Sequence, residues 1–104
     1  PGDGRYVLKR LKQYNGIAEQ SNNKEILDAI LLLARTEGIF TEPAGGVSVA
    51  VLKKMVEDGK IDRDETTVCY VTGNGLKATE SLMEVLPKPQ VMQADVAKIL
   101  AVVK

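Results

Sequence analysis

The sequence has no histidine, no tryptophan, one cysteine and one phenylalanine. Without histidine, a histidine-based catalytic triad and a mixed Cys/His zinc centre are both excluded, and no metal site is expected. A lone cysteine cannot close an internal disulfide, so the default is a reducing, cytoplasmic setting. Aromatics make up 4% of residues, too few for a base-stacking platform. Fourteen basic residues balance fourteen acidic ones, so no net field draws the chain to nucleic acid or to an acidic membrane. No apolar run reaches the ~20 residues that a bilayer span requires. The chain opens on Pro1 rather than methionine and shows no signal peptide, so it reads as a piece of something longer.

What remains is ordinary globular composition: 104 residues, 44% hydrophobic and 27% charged. Asp3 is placed to cap a first helix with a partial apolar face of Tyr6, Val7 and Leu11, which Asn15-Gly16 stops. "GIAEQ" follows as a short strand. In "SNNKEILDAILLLARTEG", Asn22 and Glu25 have capping-box spacing and Gly38 supplies the stop. Apolar residues from Ile26 to Ala34 cover much of that helix, which predicts burial on more than one side.

"IFTEP" is a second strand closed by Pro43. "AGGVSVAVLKKMVEDGK" is a helix with Val47, Val49, Ala50, Val51, Leu52 and Met55 inward and Gly59 at its end. "TTVCYVT" is continuously apolar, as a strand covered on both faces should be. A proline-punctuated connection then leads to a short terminal helix capped by Asp95. This alternation predicts an α/β fold, a partial three-layer βαβαβ unit with a short parallel sheet and right-handed crossovers.

In open parallel sheets, ligands bind beyond the carboxyl ends of the strands. Three segments are expected at that rim: Glu19-Gln20-Ser21, Glu42-Pro43-Ala44-Gly45-Gly46 and Thr72-Gly73-Asn74-Gly75. Two are rich in glycine, and the second opens a helix whose free N–H groups favour an anionic neighbour. Plainer roles stand beside these. The glycines after the last strand serve equally as turn formers, and Gly45-Gly46 as a close helix-to-sheet contact. Glu42 is either a solvent-facing acid or a carboxylate of the site. Cys69 reads as an inert core residue, and Lys53-Lys54 with Glu57-Asp58 as a solvated face.

"ILDAILLLARTEGIFTEPAGGVSVAVLKKMVEDGKI" followed by "VCYVTGNGLK" resembles the threonine synthases, pyridoxal-phosphate enzymes of the fold type II group. "PGDGRY" is similar to that family's "NPxDGxY" stretch. The resemblance runs from Pro1 to about Lys77. It implies that residues 1–86 are the C-terminal part of a larger cofactor-binding domain, with 87–104 an extension carrying the short helix. It also gives Thr72 the task of hydrogen-bonding the pyridine nitrogen of the cofactor. Gly73, Asn74 and Gly75 would lie against the ring, and Glu42 and Ala44 near the same ring edge.

By the same resemblance, the whole enzyme is a lyase of threonine biosynthesis that turns O-phosphohomoserine and water into threonine and phosphate. The family's Schiff-base lysine and its glycine-rich phosphate loop lie upstream of Pro1, so no catalytic residue is expected within this chain. The chain alone should be inactive, bind pyridoxal phosphate weakly or not at all, and self-associate through an unpaired strand edge, most simply as a dimer. A sibling fold type II enzyme (threonine dehydratase or cysteate synthase) and a stand-alone α/β binding module are the alternatives.

Overall fold

The computed structural model describes residues 2–83, 85–86, 88 and 91–102. Among the described residues there are four α-helices: α1 (Gly4–Gln13), α2 (Asn23–Glu37), α3 (Pro43–Glu57) and α4 (Val96–Val102). Two 3₁₀ turns over Gly75–Leu82, broken at Ala78 (φ −145°), lie between α3 and α4 and have no counterpart in the pattern read above. Pro1 and parts of the proline-punctuated connection (87, 89 and 90) fall outside the described residues.

Helix ends follow local chemistry. Asn22 Oδ1 accepts from the Glu25 N–H at 3.0 Å, and Glu25 Oε2 accepts from the Asn22 N–H at 2.7 Å, a reciprocal capping box. Gly38 ends α2 at φ 69°, a left-handed conformation that glycine adopts without strain. Gly59 closes α3 in the same way: its N–H donates to Val56 O at 3.1 Å, and the Lys60 N–H to Met55 O at 2.8 Å. Asp3 precedes α1 without a side-chain cap bond. Asp95 Oδ1 accepts from the Ala97 and Lys98 N–H groups and so caps α4, as expected.

The expected parallel sheet does not form among the described residues. The three apolar segments carry no ladder to one another. Among the described residues the one bridge is isolated and antiparallel, between Thr41 and Asn74. Apolar patterning marks a segment as suited to a strand, but hydrogen bonds from a neighbour make it one. Nothing in these residues supplies that neighbour to 16–20 or to most of 66–72. Val68 and Tyr70, expected under cover on both faces, are 73% and 78% exposed, and Cys69 is half-buried rather than core.

The core sits where α2 meets α3. Ala29, Ile30, Ala50 and Leu82 are its buried hydrophobic residues, and Thr41 is buried with them. Gly46 makes the close approach possible: a Cβ there would lie 2.7 Å from Ile30 Cγ1 and 3.0 Å from Ile26 O. This contact is helix against helix, whereas the pattern allowed helix against sheet. Helices α1 and α4 bury no residue. The Cα radius of gyration is 18.5 Å, against ~13 Å for a compact chain of this length.

Candidate functional site

The start of α3 and the turn after residue 72 form one corner. The Glu42 N–H donates to Gly73 O at 3.0 Å, and the Gly75 N–H donates to Phe40 O at 3.0 Å, on either side of the Thr41–Asn74 bridge. Thr41 Oγ1 also donates to Gly73 O at 3.0 Å. Gly73 O thus takes two donors, which fixes the Gly73–Asn74 peptide, one residue beyond Thr72. Pro43 at the first helical position suits its fixed φ and missing N–H.

Both turn glycines are needed by neighbours within the chain. A Cβ on Gly73 would fall on the Glu42 carboxyl group. One on Gly75 would lie 2.5 Å from Phe40 Cε1. Glu42 makes no side-chain cap bond to α3. Its carboxylate instead crosses Gly73 and pairs with Lys77, Oε2 to Nζ 3.2 Å. The Glu42 side chain is 20% exposed and that of Lys77 65%. Asn74 Oδ1 accepts from the Leu76 N–H at 2.9 Å and so opens the first 3₁₀ turn.

The structure therefore brings Glu42, Thr72, Gly73, Asn74 and Gly75 to one place, with the exposed Ala44 on the first turn of α3. Thr72 is exposed, and its hydroxyl takes no part in the hydrogen bonds that hold the corner. A neutral hydroxyl so placed can donate to a neutral heteroaromatic nitrogen, and that donor chemistry fits one edge of a pyridine ring. Sequence reasoning missed Thr41 and Lys77. The first stood inside an apolar run and read as strand filling. The second lies beyond the glycine turn, where no helix was expected to aim it back.

Glu19, expected at the same rim, is bonded elsewhere. It pairs with Lys54, in the last turn of α3, and with Lys60, each at 3.2 Å. Lys60 also meets Asp58 at 3.0 Å. The Gln20 N–H, then Lys60 and Lys54, hold the Glu19 carboxyl at about 2 instead of its ordinary 4.5. Asp58 and then Glu19 push the Lys60 ammonium upward. Lys54 is thus a tether between segments, where a merely solvated face was expected. A groove of about 500 Å³ between α2 and α3 is lined by Ala29, Leu32, Arg35, Ala50 and Lys53 among others. No corner residue borders it. Among the described residues no cluster of His, Cys, Asp and Glu could hold a metal ion. None of their helices is long and apolar enough to cross a membrane.

Residues 1–73 match the model of a family described as pyridoxal-phosphate dependent enzyme. The match takes in Glu42, Ala44, Thr72 and Gly73 and ends before Asn74. The chain is 41% identical over 98 residues to a threonine synthase of Methanocaldococcus jannaschii, covering 94% of this chain and 24% of that protein. It is 41% identical over 99 residues to a threonine synthase of Methanosarcina acetivorans, covering 95% of this chain and 24% of that one. With a threonine synthase of Halalkalibacterium halodurans it shares 38% identity over 96 residues, 91% of this chain and 27% of that protein. The chain spans about a quarter of the length of these relatives.

Proposed function

This chain belongs to the pyridoxal-phosphate-dependent enzyme family, and from that premise we propose that it is the C-terminal segment of a threonine synthase. In that reading residues 1–86 belong to the larger cofactor-binding domain and 87–104 form an extension. The intact enzyme acts on O-phosphohomoserine and water to give threonine and phosphate. Substrate contacts and the lysine that carries the cofactor come from outside these residues.

When bound, the cofactor's ring delocalises the negative charge that develops on a substrate carbon. This chain's part is to hold one edge of that ring. Thr72 donates its hydroxyl hydrogen to the ring nitrogen. Being neutral, it orients the ring without fixing a proton there, whereas a carboxylate in its place would hold the nitrogen protonated. Thr41 and Glu42 anchor the Gly73 carbonyl, and with it the turn that follows Thr72. Glu42 and Ala44 border the same edge, and Asn74 with Gly75 turns the chain away from it.

The observation that supports this reading is the exposed Thr72 hydroxyl, without a hydrogen bond among the described residues, one residue before a carbonyl held by both Thr41 and Glu42. The test is Thr72→Val in the full-length protein that carries this segment. Loss of one net hydrogen bond predicts cofactor affinity down by about five- to tenfold, with Thr72→Ser close to the parent. Unchanged affinity and turnover in Thr72→Val would overturn the reading.

A further inference from the structure

We propose that Lys77 is a positioning residue for the cofactor edge, acting through Glu42; this inference rests on the reading of Thr72 given above. Three observations carry it. The Glu42 carboxylate lies over the Cα of Gly73, the residue that follows Thr72. It pairs there with Lys77, Oε2 to Nζ 3.2 Å. Lys77 is itself aimed by the 3₁₀ turn, its N–H donating to Asn74 O at 3.1 Å, while Asn74 Oδ1 secures the start of that turn.

Two consequences follow for the ring. A carboxylate next to a pyridine nitrogen raises that nitrogen's affinity for a proton. Lys77 offsets the Glu42 charge, so the neutral hydroxyl of Thr72 remains the nitrogen's partner. The ion pair also denies Glu42 other rotamers, which keeps the space above Gly73 filled by the same atoms. The Gly-Asn-Gly-Leu-Lys spacing thereby has a use beyond turning the chain: it returns a cation to the carboxylate that the turn must accommodate.

The experiment uses the full-length protein with pyridoxal phosphate as the probe, comparing Lys77→Met, Lys77→Arg and Thr72→Val. Dissociation of the cofactor is measured together with the pH dependence of its absorbance. Lys77→Met should weaken retention by roughly fivefold and move the absorbance titration upward in pH, and Lys77→Arg should restore both. If Lys77→Met matches the parent in both readouts while Thr72→Val does not, Lys77 is an ordinary surface cation and this inference alone fails. If Thr72→Val also matches the parent, the Thr72 reading fails and carries this one with it. Lys77 is largely exposed, so loss of folding does not cloud the comparison.

Discussion

The Thr41 hydroxyl donates to the Gly73 carbonyl at 3.0 Å, joining residues 32 apart in the chain. Thr41 is wholly buried, and this bond satisfies its hydroxyl inside the protein. Thr41→Val keeps the shape and removes the donor. Gly73 O retains the Glu42 N–H, so the expected loss is about 1 kcal/mol, at the lower end for a buried hydrogen bond. A urea midpoint for Thr41→Val equal to that of the parent would show that the bond contributes nothing.

Gly46 tests the helix contact. Any side chain there meets Ile30 and the Ile26 carbonyl, and backbone cannot swing aside. Gly46→Val should cost about 1–3 kcal/mol through overpacking. Gly2, with nothing within 4 Å of its Cβ position, is the control, and Gly2→Ala should leave the melting temperature alone.

The two turn glycines should respond differently. At Gly73 the obstacle is the tip of a flexible glutamate, so Gly73→Ala should displace Glu42 from Lys77 at a cost below about 1 kcal/mol. At Gly75 the obstacle is the half-buried Phe40 ring, and Gly75→Ala should be the more destabilising of the pair. Thermal melts in the reverse order would contradict these packing roles.

Glu19 predicts a pH window. Its carboxyl titrates at about 2 in the folded chain and ordinarily at 4.5, so the folded form binds the proton more weakly. The stability it contributes is therefore full above pH 4.5 and lost as pH falls from 4.5 towards 2. Lys60, pushed upward, contributes fully below its ordinary 10.5 and loses that contribution as pH rises further. Glu19→Gln should flatten the acid limb of a stability-versus-pH curve, and an unchanged limb would place the acid sensitivity elsewhere.

The 104-residue chain by itself should retain no pyridoxal phosphate after desalting and should self-associate at high concentration. Tyr6, Leu8, Val68 and Tyr70 are each at least 60% exposed, which favours burial against another copy. A stoichiometric lysine-linked cofactor absorbance would contradict the first expectation, and sedimentation as a monomer throughout the second.

Local chemistry was the legible part of this sequence. Asn22 with Glu25, Gly38, Gly59 and Asp95 each end or start a helix where the pattern placed it, because caps depend on residues within a few positions. The meeting of Glu42 with Thr72–Gly75 was read from the order of the strands and from the resemblance alike, but the segments meet through an isolated antiparallel bridge and not at the rim of a parallel sheet. The parallel sheet was not, since Val68 or Tyr70 can be covered only by atoms these residues do not provide. Thr41 and Lys77 escaped notice for a related reason: each takes its role from a partner across the turn.

The closeness of α2 and α3 at Gly46 has a kinetic counterpart. Backbone amides of that helix pair should exchange with deuterium slowly, because releasing them means separating the buried Ile30 and Ala50 surfaces. Amides in α1 and α4, which bury nothing, should exchange almost as fast as those of a free peptide.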